Sequence, residues 1–352
     1  MGQPWSGATT TATAPIDTIM EPGVVFDNRA QGRKHRHATA IGEPSPGAAE
    51  GLRRLAGGGC DAGVRTASAR YDASMVTPPP PTSTDETPGC VSRRIERWRQ
   101  GAVDVVDDWV AEEHPVAMAC NGVAFAVMMA TPCDLEDFAL GFALSEGLVA
   151  EPAQLLGTEI RPLLEGTQLA MTVREDAHGA HLDPADDRLL PGRSGCGICG
   201  TRQLENAVRQ PAPVRGDLRI THAALERALD ALRQRQPMTA LTGAVHAAGW
   251  ASADGELVLV REDVGRHNAL DKLVGALHRS GRDPATGFAV VTSRASYEMA
   301  SKTASAGIGL LAAISAPTAL AIELARSAGL TLVGFARPGS HNIYTHPERL
   351  QA

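Results

Sequence analysis

Residues 288–335 read FAVVTSRASYEMASKTASAGIGLLAAISAPTALAIELARSAGLTLVGF and carry the strongest indication of the fold class. Short apolar segments alternate here with longer segments in which apolar residues recur at helical spacing. Strands that are apolar on both faces are typical of a parallel sheet covered by helices. The sequence therefore predicts an α/β fold for this part of the chain. Strands are predicted at 288–292, 309–314 and 330–335, and helices at 297–306 and 318–327.

The same alternation extends upstream, with a strand at 256–261 and a helix at 269–277. In a parallel sheet every strand-to-helix loop lies at one edge, where open α/β sheets bind ligands. These loops carry arginines and hydroxyl groups beside helix N-termini, which suits phosphate groups. We predict a phosphorylated, nucleotide-bearing ligand at this edge; the alternative is that these are ordinary exposed loop residues. The residues concerned are Arg266, His267, Ser293, Arg294, Thr318 and Arg337.

The first part of the folded chain has a different texture. Residues 114–130 form two extended segments around Asn121-Gly122, a dipeptide that favours a hairpin turn. A helix is predicted from Asp134 to near Gly147, with further strands at 159–161 and 168–173. The sequence therefore predicts an α+β domain over 91–190 and an α/β domain, which includes a cysteine loop, over 191–352.

The first ninety residues are rich in Gly, Ala, Thr, Pro and Ser, and residues 78–81 are four consecutive prolines. No helical or strand period is sustained in this segment. Such a composition buries too little apolar surface to offset the entropy of ordering the chain. We predict a disordered tail over 1–90.

Two cysteines lie in the segment GRSGCGICGT, residues 192–201. The glycines around them permit positive φ angles and close approach by another molecule. Cys199 precedes a predicted helix N-terminus, and Arg193 and Arg202 flank the pair; both effects favour thiolate over thiol. Cys196, at the tip of the loop, is predicted to be the nucleophile, with Cys199 secondary. The pattern indicates a site of sulfur chemistry.

Three other interpretations of the cysteine pair compete with this one. A structural zinc site needs four ligands, and none of Cys60, Cys90, Cys120 and Cys133 forms a second C-x-x-C. A stable disulfide is disfavoured because a glycine-rich four-residue loop gives reactivity rather than stability. A thioredoxin-like redox pair stays open.

Composition excludes several classes of protein. The 352 residues are 43% hydrophobic and 21% charged, with a net charge of -7, which argues against a nucleic-acid binder. Six cysteines make no disulfide framework, so a cytoplasmic location is expected. The nearly apolar run 307–325 is interrupted by Pro317 and Glu323, and no membrane segment is expected.

Several motifs, taken together and in order, resemble one family, the formate dehydrogenase accessory sulfurtransferases or FdhD family. The resemblance covers roughly residue 91 to the end. Besides the cysteine loop and Asn121-Gly122, its motifs are GFALSEG at 141–147, REDVGRHNALDK at 261–272, TSRASYEM at 292–299, SAPT at 315–318, GFARPG at 334–339 and YTHPERL at 344–350.

The resemblance implies a function. Members accept persulfide sulfur from a cysteine desulfurase and pass it to molybdenum in bis(molybdopterin guanine dinucleotide), which formate dehydrogenase requires. The persulfide cysteine of the family corresponds to Cys196. The resemblance also implies a homodimer, the formate dehydrogenase catalytic subunit as partner, and a cytidine-deaminase-like α/β sandwich. Its cofactor-binding stretch falls on Phe335, Ala336, Arg337, Pro338, Gly339 and Ser340.

Two rival functions remain. A zinc deaminase needs H-x-E or C-x-E together with P-C-x-x-C; here Gly195 precedes the pair, and neither His246 nor His267 has an acid two residues later. No bound zinc is therefore expected. The other rival is a chaperone that delivers the cofactor without transferring sulfur, in which the cysteines are incidental.

Overall fold

The structure is a computed structural model, and it describes residues 87–182 and 210–352. The predicted tail, apart from its last four residues, lies outside these ranges. The loop that holds Cys196 and Cys199 also lies outside the described residues. No helix in the described ranges is long and apolar enough to cross a membrane.

The described chain begins with a two-stranded antiparallel ribbon that has no counterpart among the predicted elements. Strand β1 (Cys90–Arg99) pairs along its whole length with β2 (Ala102–Ala111). Gln100 and Gly101 join them with φ angles of 50° and 90°. Two consecutive residues with positive φ form the tight turn that matches the twist of a hairpin.

A four-stranded sheet follows, in the order β4-β3-β6-β5. Its core packs against one helix, α1 (Leu135–Ser145), through Phe138 and Phe142. The predicted hairpin is confirmed: Asn121 and Gly122 have φ angles of 47° and 85°. The Asn121 side chain also accepts from Val173 N at 2.9 Å, which secures the neighbouring strand. The strands are β3 (His114–Cys120), β4 (Val123–Ala130), β5 (Leu155–Leu163) and β6 (Gly166–Val173).

The larger sheet has six strands in the order β13-β12-β11-β10-β8-β9. A separate short pairing joins β7 (Ile220–Thr221) to β14 (Leu350–Gln351). The α/β class is confirmed, but the expectation of a wholly parallel sheet is wrong. The six strands are β8 (His246–Ser252), β9 (Leu257–Asp263), β10 (Gly287–Val291), β11 (Leu310–Ala313), β12 (Thr331–Arg337) and β13 (Ser340–Thr345).

Direction in this sheet follows from connection length. Strands β9, β10, β11 and β12 run the same way, whereas β8 and β13 are antiparallel to their neighbours. Residues 253–256 join β8 to β9, and Pro338-Gly339 joins β12 to β13. Connections this short permit only antiparallel pairing, since a parallel crossover needs a dozen or more residues.

Helices cover both faces of the larger sheet. Helices α4, α5 and α6 pack on one face, against Trp250, Leu311 and Leu332 among others. Helix α2 covers the other face, and the short α3 lies against the ribbon. The helices predicted at 269–277, 297–306 and 318–327 are present, although α4 begins three residues earlier than expected, and the helix predicted after Cys199 lies outside the described residues. The bounds are α2 (His222–Gln234), α3 (Pro237–Thr242), α4 (Arg266–Arg279), α5 (Tyr297–Ser305) and α6 (Ala319–Ser327).

Helices α1 and α4 join the two sheets through a contact between glycines. A Cβ on Gly141 would lie 1.7 Å from the Asp271 carbonyl oxygen, and one on Gly275 would lie 1.9 Å from that of Asp137. Only glycine permits so close an approach. Beside the contact, Lys302 Nζ on α5 lies 2.8 Å from Oε1 of Glu146, the residue that follows α1. The small sheet and the larger sheet are thus joined by a packed and charged contact.

Candidate functional site

The carboxyl ends of β9, β10, β11 and β12 meet at one edge of the larger sheet, called here the carboxyl edge. The loops after β10 and β11 lie side by side, because Thr318 N donates to the Ala295 carbonyl at 3.0 Å. The end of β12 is tied to the same place, since Phe335 N donates to the Ser315 carbonyl at 3.1 Å. The structure therefore brings the predicted loops together. Their role in binding stays a prediction.

Three helices begin at the carboxyl edge and turn their free N–H groups toward it. Ser296 caps α5 by accepting from Met299 N at 3.5 Å, and Thr318 caps α6 by accepting from Ala321 N at 3.3 Å. The Thr318 hydroxyl therefore acts as a helix cap in this structure. The remaining N–H groups of these first turns favour an anion.

A titratable pair lies among these helix ends. His267 is 5% exposed, and its Nε2 lies 2.9 Å from Glu298 Oε2, so α4 and α5 are linked. Burial raises the pKa of Glu298, but the hydrogen bond and charge of His267, with Arg266 and Lys302, bring it below its usual value. His267 thus faces a carboxylate rather than open solvent. No local sequence pattern indicates this partner, because the two residues are distant along the chain.

A second histidine, His246, begins β8 at the same edge. Burial lowers its pKa, and the charges of Arg266 and His267 lower it further. At neutral pH this imidazole is therefore neutral, and it can donate one hydrogen bond and accept another. The sequence pattern raises His246 only as a possible zinc ligand. Within residues 87–182 and 210–352, no cluster of three or more His, Cys, Asp or Glu is arranged for a metal.

The end of β12 is strained. Phe335 adopts a φ of 51° and is 40% exposed, next to an irregular register between Gly334 and Arg337. A bulky residue in this conformation is uncommon and persists where the surroundings require it, often at ligand sites. Four residues after Phe335 the chain turns at Gly339, whose N–H donates to Glu226 Oε1 at 3.1 Å. An exposed ring and a fixed turn therefore stand together at the carboxyl edge.

Several residues of the 261–272 motif support the carboxyl edge rather than line it. Asp263 is fully buried and accepts from Thr131 N at 3.0 Å and from Gly265 N at 2.7 Å. Glu262 accepts from Met238 N at 2.9 Å and so anchors α3. These carboxylates tie the start of α4 to neighbouring elements. Arg266 and His267 are the members of the motif that reach the carboxyl edge.

The described cysteines are poor nucleophiles. Burial raises the pKa of the Cys120 thiol to about 11, and burial likewise raises that of Cys133 to about 11 despite the nearby Lys272. Burial and the acidic neighbours Glu262 and Glu112 raise the pKa of Cys90. Because the thiolate is the reactive form, none of the three is suited to sulfur transfer at neutral pH.

Alkylation kinetics should show the low reactivity of Cys133 directly. At pH 7 a thiol with a pKa near 11 is about 300-fold less ionised than an ordinary cysteine, and its higher intrinsic nucleophilicity offsets only about tenfold. Cys133 should therefore react with iodoacetamide at least about 20-fold more slowly than glutathione. Peptide mapping after timed quenching measures the rate. Modification of Cys133 in the native protein at the rate of glutathione would contradict the argument.

The fold defines a mixed α/β protein in which helix N-termini and several arginines meet at the carboxyl edge. The model of the FdhD/NarQ family matches residues 111–351, and the chain belongs to that family. A relative from Xanthomonas campestris pv. campestris (strain B100), named sulfur carrier protein FdhD, is 59% identical over 268 residues, which cover 76% of this chain and 95% of that protein. A relative of the same name from Cupriavidus necator is 52% identical over 257 residues, which cover 73% and 88%.

A solved structure is also similar. It is the crystal structure of a protein from Desulfotalea psychrophila described as a formate dehydrogenase accessory protein. The TM-score is 0.58 at 25% identity, and the match covers 75% of this chain and all of that one. This chain is therefore similar in fold to a protein described as a formate dehydrogenase accessory protein.

Proposed function

We propose that this protein is a sulfur carrier that formate dehydrogenase requires for activity. It accepts persulfide sulfur from a cysteine desulfurase and transfers it to the molybdenum of bis(molybdopterin guanine dinucleotide), which is its substrate. The observation that carries the proposal is the 59% identity to a sulfur carrier protein FdhD over 95% of that relative's length. On this proposal the protein acts as a sulfurtransferase.

The transfer is assigned to Cys196. Its thiolate attacks the outer sulfur of the desulfurase persulfide; a new S–S bond forms, and the desulfurase cysteine leaves as a thiolate. The described cysteines Cys90, Cys120 and Cys133 are less suited to this step, since their pKa values are raised. Cys196 lies fourteen residues from both Leu182 and Gln210, the last described residues on either side. Fourteen residues reach at most roughly 46–50 Å, so chain length does not keep Cys196 from the carboxyl edge or a partner.

The guanine nucleotide of the substrate is assigned to residues 335–340. The exposed Phe335 ring offers a face on which a base can stack, and Arg337 offers a planar cation for a phosphate. The helix N-termini at the carboxyl edge add N–H donors for the same charge. Five further residues belong to the same proposed surface: Arg266, His267, Ser293, Arg294 and Thr318. His267 contributes through its contact with Glu298, which links α4 to α5.

We propose that the partners are a cysteine desulfurase and the formate dehydrogenase catalytic subunit, that the protein assembles as a homodimer, and that it acts in the cytoplasm. The larger sheet with its helices on both faces is compatible with a cytidine-deaminase-like sandwich. Any resident zinc would favour the deaminase rival, so a zinc assay accompanies the main test.

Arg337→Ala should weaken binding of GDP. Losing one charge-assisted contact costs about 1.5–3 kcal/mol, which is a rise in Kd of roughly 13-fold to 160-fold. Calorimetry with GDP measures the change. The control is Arg326→Ala, an exposed arginine in the last turn of α6, away from the carboxyl edge. Equal affinities for wild type and Arg337→Ala would remove this residue from the site.

Mass spectrometry tests the function as a whole. The full chain is incubated with a cysteine desulfurase and free cysteine, and its peptides and released nucleotides are analysed. One added sulfur atom on the 192–201 segment, together with bound guanine nucleotide, is the expected result. Bound nucleotide without added sulfur would favour the delivery chaperone instead.

A further inference from the structure

Helix α2 contacts the turn that joins β12 to β13. Gly339, in that turn, donates its N–H to Glu226 Oε1 at 3.1 Å. One helical turn earlier, His222 Nδ1 lies 2.8 Å from Nε2 of His341 in β13, and the two rings stack with their centroids 4.9 Å apart. His222 and Glu226 are four residues apart and therefore lie on the same face of α2. Two polar contacts from one helix face thus fix the turn and the start of β13.

The start of α2 is itself held in place. The Thr221 hydroxyl caps the helix by accepting from Ala224 N at 3.0 Å. Leu225 of the first turns belongs to the same buried apolar cluster as Ala336 of β12. The hairpin needs such a support, because Phe335 keeps its φ of 51° only where the surroundings impose it.

The contact between the two histidines depends on their protons. Nδ1 of His341 is buried and has no hydrogen-bond partner within the described part of the chain. The arrangement without a buried, unpaired N–H is therefore the one in which both rings are neutral and His341 Nε2–H donates to His222 Nδ1. A proton added to His341 would go to the buried Nδ1. A proton added to His222 would turn two N–H groups toward each other.

Acid should therefore release the contact. Burial lowers the pKa of His341 below its usual value of about 6.5, the charge of His222 lowers it further, and the charge of Glu226 raises it. A lowered pKa favours the neutral ring, so the contact is complete at neutral pH and is lost as the pH falls below about 6.5. On β12, the charged residue beside the pair is Arg337, which lies opposite Ser340, one residue before His341.

We propose that Glu226 and the His222–His341 pair are positioning residues that hold residues 335–340 in the form that binds the guanine nucleotide, and that acid releases this turn. The inference rests on the nucleotide site proposed above. It adds three residues outside that site on which binding depends, and a pH range in which binding is lost. Sulfur transfer by Cys196 does not enter it.

Charge alone predicts effects of the opposite sign. Removing the Glu226 carboxylate from beside an anion site would strengthen binding of GDP, and so would a positive charge on His222 or His341. If these residues act by positioning the turn, both changes weaken binding instead. The sign of each effect therefore distinguishes positioning from simple electrostatics.

Calorimetry with GDP at pH 8 tests Glu226. Glu226→Leu removes the acceptor of the Gly339 N–H and should raise the Kd at least about fivefold. Glu226→Gln removes the charge but keeps an acceptor oxygen, and it should recover most of the affinity. The control is Asp230→Leu, which removes an acidic group one turn further along α2, where it pairs with Arg233 at 3.4 Å. Binding by Glu226→Leu that equals or exceeds wild type would overturn the proposal.

The same titration at pH 8 and pH 5 tests the histidine pair. His222→Asn keeps an amide oxygen that accepts from His341 Nε2–H in either protonation state of that ring. The loss of affinity between the two pH values should be at least about fivefold larger for wild type than for His222→Asn. Protonation of GDP itself affects both proteins equally. Equal losses would show that the pair does not release the turn.

Hydrogen exchange separates this proposal from the nucleotide site on which it rests. Without GDP and at one pH, the amides of residues 335–341 should exchange at least about fivefold faster in Glu226→Leu than in wild type or Glu226→Gln, because the turn opens more often. Unchanged exchange in a protein that binds GDP would overturn the positioning role alone. A wild type that binds no GDP would overturn the nucleotide site and this proposal together.

Discussion

Cys196→Ala is expected to lower formate dehydrogenase activity to the level of cells that lack this protein, whereas Cys199→Ala retains part of the activity. The reason is the order of the chemistry, since a carrier needs a thiolate that first attacks a persulfide and then presents its terminal sulfur. Arg193 and Arg202 flank the pair and favour the thiolate form. No described cysteine can substitute at neutral pH, because burial raises the pKa values of Cys120 and Cys133 to about 11.

The control separates chemistry from binding. Cys196→Ala should bind GDP as wild type does, since the proposed nucleotide site lies on residues 335–340. Enzyme activity in cells that carry each variant is measured beside the mass of the loop peptide after reaction with a desulfurase. Sulfur on Cys199 of the wild type, or full activity from Cys196→Ala, would show that the assignment is wrong. Loss of GDP binding in the same variant would show damage to the fold instead.

The sequence predicted the larger sheet well where buried strands appear as short apolar runs. Strands β10, β11 and β12 are short apolar runs, and Ser296 and Thr318 mark the starts of the helices after β10 and β11. The ribbon left no such signal. Its strands alternate arginines and aspartates with exposed apolar residues, and its turn is Gln100-Gly101 rather than Asn-Gly or Asp-Gly.

The sequence predicted where the candidate site lies, but not which of its residues contact one another. Parallel strands of known direction bring their carboxyl ends together, and this placed Arg266, Arg294 and Arg337 at one edge. The contact between His267 and Glu298 depends on how two helices pack, which no local pattern records. Likewise, the hydrogen bond from Gly339 N–H to Glu226 joins residues more than a hundred positions apart. Such contacts are properties of the packed chain rather than of any segment.

Lys272→Met is expected to destabilise the fold by about 3–5 kcal/mol, because it leaves a buried carboxylate without its cation. Lys272 and Asp263 are both fully buried, with Nζ and Oδ2 2.7 Å apart. Lys272 Nζ also donates to the Thr131 carbonyl at 2.9 Å, so the variant breaks the tie between α4 and the end of β4. A loss of this size is a large part of the total stability of an ordinary domain, about 5–15 kcal/mol.

Urea unfolding measures the free energy for Lys272→Met and for two comparison variants. Arg161→Met removes the cation of the exposed pair with Glu159, and exposed pairs contribute at most about 1 kcal/mol. Lys272→Met/Asp263→Asn removes both charges and keeps an acceptor for Gly265 N, so it should recover part of the loss. A loss below about 1 kcal/mol for Lys272→Met would mean that water reaches the pair. Recovery in the double variant would show that the unpaired charge, rather than the missing side-chain volume, is what the fold does not tolerate.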